Sequence, residues 1–263
     1  MTLPLYQVDA FTDQLFRGNP AGVCLLATPQ PDEWMAAVAR EMNLSETAFL
    51  LPEDDGFRLR WFTPAVEVRL CGHATLASAH ILWQKGTVAV TQMIRFYTLS
   101  GLLTAEKQDG LIWLNFPSRP VQPADAPAGM LEALGVQAVY VGRSVEDYLV
   151  ELDSEAEVLA ARPDFTSLRT VQARGVILTS RPDDGRVDFV SRFFAPAVGV
   201  DEDPVTGSSH TVLAPYWAGK LGKPEMSAEQ VSRRGGSLRL QLKGDRVEIG
   251  GKAVTFFSGE LAG

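Results

Sequence analysis

Four side chains in this sequence have a type and a setting suited to moving a proton: Glu46, His73, Asp203 and Cys71. Glu46 lies in Asn43-Leu-Ser-Glu-Thr-Ala-Phe49, between an apolar helical stretch and an apolar strand-like run. A carboxylate pressed between two such elements loses water, and its pKa rises toward the range useful for general acid–base chemistry. A capping or ion-paired acid is the plainer reading of that local sequence, and both stay open. Ser45, next to it, is a candidate substrate contact. His73 follows a loop glycine, which favours binding over packing. Asp203, in Asp201-Glu202-Asp203-Pro204, either belongs to a solvated loop or holds an ammonium or hydroxyl group of a substrate. Cys71 is a helper or a small buried residue. His80 reads as helix surface or packing, and His210 fits either role.

Two glycines give these residues a frame. Gly72-His73-Ala74 and Gly207-Ser208-Ser209 each stand where a loop enters a helix. The first N–H groups of a helix lack internal acceptors, and the dipole is positive there, so such starts suit a small carboxylate. Both are preceded by related text, RWFTPAVEV at 60–68 and RFFAPAVGV at 192–200, identical at six of nine positions with an offset of 132. Gly101-Leu-Leu103 and Gly236-Ser-Leu238 continue the match at offset 135. The chain therefore reads as two similar halves. The expected division is 1–117, joined by a C-terminal segment 254–263, and 118–253, with the active site in the cleft between them. The boundary falls near the proline-rich stretch 117–127. No acid stands in the second half at the place of Glu46, where Gln172-Ala-Arg-Gly-Val-Ile occurs. Any such base is single.

The elements that must position these groups are short. Residues 3–11, 21–27, 47–51, 57–63, 102–107 and 111–116 read as strands in the first half, and 137–142, 147–152, 174–179, 186–194, 237–242 and 246–249 in the second. Pro31–Met42 has helical apolar spacing, Ala74–Lys85 reads as a largely buried helix, and a third helix runs from Ser208 to Lys220 with Pro215 expected to kink or loosen it. Many strands and few helices, without strict alternation, predict an α+β fold.

Composition narrows the function. Lys plus Arg is 24 and Asp plus Glu is 32, a net charge of −8, which argues against a nucleic-acid surface or a polybasic membrane anchor. No apolar run has the length of a membrane span, and no signal-peptide pattern opens the chain. Two cysteines, Cys24 and Cys71, without a CxxC partner, argue against structural zinc or a disulfide framework and make a reducing, cytoplasmic setting the default. No nucleotide, flavin or metal motif is found, so no cofactor and no metal are expected.

Asn19-Pro-Ala-Gly-Val23, Leu44-Ser-Glu-Thr-Ala-Phe49, Cys71-Gly-His-Ala-Thr75 and Asp203-Pro-Val-Thr-Gly-Ser208 resemble the phenazine biosynthesis PhzF-like isomerase family, in order and along most of the chain. The resemblance implies a fold like diaminopimelate epimerase: two pseudo-twofold-related domains, each a rolled, barrel-like mixed sheet around a central helix. It implies a cofactor-independent proton shift on a small carboxylate-bearing, cyclic metabolite, as the family's type member performs on a dihydro-hydroxyanthranilate with a glutamate. Glu46 matches that glutamate. His73 and Asp203 match residues that bind and assist the substrate, and Gly72, Gly207 and Ser208 match contacts to its carboxylate. Ala74 and Ser209 complete the two helix starts. Homodimers are common in the family. In the related racemases and epimerases a cysteine precedes each helix-start glycine. Cys71 fills the first place but Thr206 the second, and a hydroxyl is too weak an acid to replace a thiol. The competing expectations are an amino-acid racemase or epimerase of the same fold, and a non-catalytic ligand-binding or interaction protein on this scaffold.

Overall fold

From Gly72 to Gln84 the sequence holds no charged side chain, and eleven of these thirteen residues are buried. A helix apolar on every side can only be interior. Its polar members bond inward: Thr75 Oγ1 donates to the Cys71 carbonyl at 2.5 Å and Ser78 Oγ to the Ala74 carbonyl at 2.7 Å. A second helix, buried over its first two turns and with Lys220 as its one charge at the exposed end, spans Gly207–Leu221. Each is the centre of one of two units of the computed structural model, which describes residues 2–261. The units are Met1–Phe116 with Glu248–Gly263, and Pro117–Val247. Met1 and residues 262–263, which the expected segments include, lie outside the described residues.

In the first unit, β1 (Leu3–Ala10) pairs antiparallel with β2 (Asn19–Leu25), and β2 runs parallel to β3 (Glu46–Glu53) after a crossover through α1 (Asp32–Met42). β3 pairs antiparallel with β4 (Gly56–Phe62), which also meets β5 (Glu67–Val68). The interior helix, α2 (Gly72–Gln84), then leads to β6 (Ile94–Thr98), parallel to β4 and followed antiparallel by β7 (Gly101–Gln108) and β8 (Leu111–Pro117). Strand alternation sorts the sheet's two faces. Phe49, Phe62 and Cys24 pack with Met35 and Ala39 of α1, whereas Glu46, Ala48 and Leu50 share the opposite face, toward α2. Burial pushes the Cys24 thiol up to about 12, so it is an inert core residue.

The second unit pairs in the same sequence of senses. After β9 (Gln122–Pro123) and α3 (Met130–Leu134), β10 (Tyr140–Arg143) is antiparallel to β11 (Asp147–Glu151). The short helices α4 (Glu155–Ala160) and α5 (Phe165–Leu168) cross to β12 (Gly175–Ser180), parallel to β11. β12 is antiparallel to β13 (Phe189–Ala195), which meets β14 (Val200–Asp203). The interior helix, α6 (Gly207–Leu221), leads to β15 (Glu225–Gln230), parallel to β13 and antiparallel to β16 (Gly236–Lys243). Val176, Leu178 and Phe194 pack with α3–α5, while Thr179 on the other face accepts from Trp217 Nε1 of α6 at 3.0 Å. The fold is α+β, strand-rich with few helices.

Several boundaries differ from expectation. The chain returns to the first unit from Glu248, ahead of 254, because β17 (Arg246–Gly251) already packs there. A Cβ at Gly250 would meet Trp113 and one at Gly251 would meet Phe11 and Leu76. β18 (Ala253–Leu261) then pairs antiparallel with β1. The stretch 117–127 is not a free linker: Gln122 and Pro123 pair with Arg143 and Gly142. α2 begins at Gly72 rather than Ala74, which puts His73 in its first turn. Pro215 does not interrupt α6. It removes the donor for the Thr211 carbonyl, and the Arg119 N–H supplies one at 3.0 Å. Among the described residues no helix is long and apolar enough to cross a membrane.

Candidate active site

Glu46 opens β3 opposite Ala21 of β2, on the face toward α2, and the first turn of α2 brings His73 to meet it. His73 Nε2 lies 3.3 Å from Glu46 Oε2, with 5% and 17% of the two side chains exposed. The approach is close, but Nε2 is not aligned in a hydrogen bond. On the other side of the ring, Asn19 Nδ2 lies 3.2 Å and Cys71 Sγ 3.5 Å from Nδ1. An amide nitrogen can only donate, so Nδ1 accepts and the ring proton sits on Nε2. Burial lowers the His73 pKa to about 3, so the imidazole is neutral and acts as a hydrogen-bond group rather than a cation.

The local sequence explains this placement. Asn19 and Gly22 belong to the Asn-Pro-Ala-Gly-Val run that starts β2. Parallel register sets Gly22 against Thr47, and a Cβ at Gly22 would come 2.8 Å from Thr47 Oγ1. Glycine there leaves room for the Thr47 side chain, and Asn19, three residues earlier, is fully buried beside α2. Cys71 precedes the helix with extended backbone and offers no capping bond, and the first turn carries no acid. Glu46, Cys71 and His73 place one donor atom each within 4.8 Å of one another. These are donor types a transition metal accepts, although Asn19 and Cys71 already occupy the surroundings of Nδ1.

In the second unit Asp203 ends β14, opposite Phe193. Thr206 Oγ1 donates to Asp203 Oδ2 at 2.5 Å and accepts from Gln230 Nε2 at 3.2 Å. Fully buried Gln230 also donates to the Asp203 carbonyl at 2.7 Å and accepts from the Thr206 N–H at 2.8 Å. Thr206 therefore holds an acid in position. Gly207, Ser208 and Ser209 form the first turn of α6, again with no capping side chain and no acid. Ser209 Oγ turns back to the Thr206 carbonyl at 2.8 Å, so it serves the helix rather than the surface of the turn. Ser208 Oγ accepts from Arg174 Nη1 at 2.8 Å. His210 is a core residue: Nδ1 donates to the Thr206 carbonyl at 2.8 Å, and the ring stacks on Phe189. Burial lowers its pKa to about 4. His80, at the other end of α2, faces Thr255 of β18 at 3.0 Å.

The structure thus brings Glu46, Cys71, Gly72, His73 and Ala74 together in one unit, with half-buried Ser45 adjacent in sequence. Asp203, Gly207, Ser208 and Ser209 gather in the other. Asn19, Gln230 and Arg174 were missed. Asn19 lies in a motif used only for the resemblance, and the other two carry no local signal.

A family model for phenazine biosynthesis-like proteins matches residues 8–259. The chain belongs to the phenazine biosynthesis-like family. An uncharacterised isomerase of Halalkalibacterium halodurans is 55% identical over 99% of each chain. One from Pseudomonas aeruginosa is 50% identical, also over 99% of each. The crystal structure of a PhzF-family phenazine biosynthesis protein from Enterococcus faecalis superposes with a TM-score of 0.95 at 41% identity, covering all of both chains. This phenazine biosynthesis-like chain is therefore of the isomerase class by kinship, with Glu46 and His73 inside the matched span.

Proposed function

We propose that the protein is a cofactor-independent isomerase that shifts a proton on a small, carboxylate-bearing, cyclic substrate. One observation carries the reading: a largely buried carboxylate, Glu46, stands 3.3 Å from Nε2 of a neutral histidine. Glu46 takes a proton from carbon and returns it to a neighbouring atom. The His73 Nε2–H donates to the charge that develops, and a preorganised donor of this kind lowers a barrier by several kcal/mol. Gly72, Ala74 and Ser45 bind beside it. Asp203 orients the substrate, and Gly207 and Ser208 hold its carboxylate. The two similar halves reflect an internal repeat in which only one retains a base.

The racemase reading has less support. Thr206 donates its proton to Asp203, and its oxygen accepts from Gln230, so it stands as no second acid. Gly175, the counterpart of Glu46 by strand register, has no side chain.

The test is deuterium exchange. Cyclic carboxylic acids incubated in D2O with the protein should take up label at a carbon, and Glu46→Gln should abolish this while leaving ligand binding intact. Exchange that survives Glu46→Gln removes the assignment. Label with inversion at an α-carbon points to racemisation instead.

A further inference from the structure

Arg174 precedes β12 and stands by register at the place of Ser45 in the first unit. Its guanidinium is divided among fixed partners. Nε donates to Asp147 Oδ1 at 2.8 Å, Nη2 donates to Asp147 Oδ2, and Nη1 donates to Ser208 Oγ at 2.8 Å. The group lies 5.2 Å over the ring of Phe193. Asp147 is completely buried and holds two arms of the fork, so the direction of the third is set. Glu146 Oε2 stands 3.8 Å from Nε and is itself paired with Arg119. Arg174 keeps 27% of its side chain exposed, so Ser208 faces a water-accessible charge rather than a sealed ion pair.

A serine hydroxyl has one proton to donate and lone pairs to accept with, and it normally rotates between the roles. A guanidinium only donates. Against Arg174, the Ser208 oxygen is fixed as acceptor, and its proton turns toward some other acceptor. A bond accepted from a cation polarises the O–H and makes it a stronger donor, so a hydroxyl held this way favours the stronger acceptor, a carboxylate, over a carboxamide. We propose that Arg174 is a positioning residue that commits Ser208 to donating, and so makes the first turn of α6 selective for carboxylates. The inference rests on the reading of Ser208 as a substrate contact.

Benzoate and benzamide, matched in shape, serve as probes in calorimetric titrations of the full chain. The wild type should prefer benzoate by about tenfold, the ratio that 1.4 kcal/mol represents. Arg174→Lys keeps a cation for Asp147 but cannot reach both partners, so the preference should fall toward unity at an unchanged melting temperature. Should that variant fold poorly, Arg174→Met combined with Asp147→Leu removes the buried pair together and should show the same loss. Ser208→Ala should lose the preference too, and Arg174→Lys with Ser208→Ala should lose no more than Ser208→Ala alone. Wild-type preference in Arg174→Lys, or losses that add in the double variant, overturn the inference and leave the carboxylate reading standing. A wild-type chain that shows no preference for benzoate overturns the carboxylate reading and the inference with it.

Discussion

Glu46 and Gly175 open strands with matching surroundings. Thr47 pairs with Phe62 and Val176 with Phe194, and the two phenylalanines belong to the related segments 60–68 and 192–200. Each strand runs parallel to the one before its crossover and faces an interior helix that begins with glycine. The chemistry installed on these matching strands is opposite. The first unit sets a carboxylate beside a neutral imidazole, whereas the second sets a guanidinium beside a hydroxyl. Space decides the difference. A Cβ at Gly175 would stand 2.4 Å from the Phe193 ring and 2.8 Å from the Phe194 carbonyl, so no base can grow there. A shared backbone says where a functional group can sit, and the packing around that point says which group fits.

The sharpest way to break this comparison is Glu46→Gln. A positioned base is worth about 10²–10⁴-fold in rate, and exchange should fall by that factor with the melting curve unmoved. A smaller change in exchange would make the first unit's carboxylate as incidental as the second unit's glycine. Gly175→Ala should destabilise by about 1–3 kcal/mol, the usual cost of overpacking a core. Denaturant unfolding reads it, and a neutral result would mean that Phe193 yields and space is not the reason.

Acid sensitivity comes next. The folded-state pKa values of His73 (about 3) and His210 (about 4) lie below the unfolded value near 6.5. Between these limits the unfolded chain binds protons that the native chain refuses, so stability falls as pH drops from about 6.5 toward 4. Each such histidine contributes up to about 1.4 kcal/mol per pH unit. His73→Asn should flatten that slope, and an unchanged slope would place the linkage elsewhere. The smallest effect is expected from Thr206→Ser, which keeps the hydroxyl that binds Asp203 and loses a methyl, about 0.5–1.5 kcal/mol by analogy with Ile→Val. Substrate exchange should survive it and fall in Thr206→Val, where Asp203 loses the Thr206 hydroxyl.

Much of this was legible residue by residue. The uncharged run of α2, the glycines opening both interior helices and the lone acid of Asn43–Phe49 are local features. Short-range physics reads them: helical burial of an all-apolar surface, strand alternation and orphaned N–H groups. Asn19, 54 residues from His73, was not legible. Nor was Gln230, 24 residues beyond Thr206, or the division of Arg174 between Asp147 and Ser208. β18, which closes on β1 from the far end of the chain, belongs with them.

The sequence by itself determined the strand-rich α+β class, the two helix starts and the presence of one candidate base rather than two. Only the tertiary structure decided which nitrogen of His73 carries the proton, what the Thr206 hydroxyl holds and where the arms of Arg174 point. These depend on sheet register, in which a slip of one residue turns every side chain to the other face. Register is set by the packing of the whole unit, and no short stretch of sequence contains it.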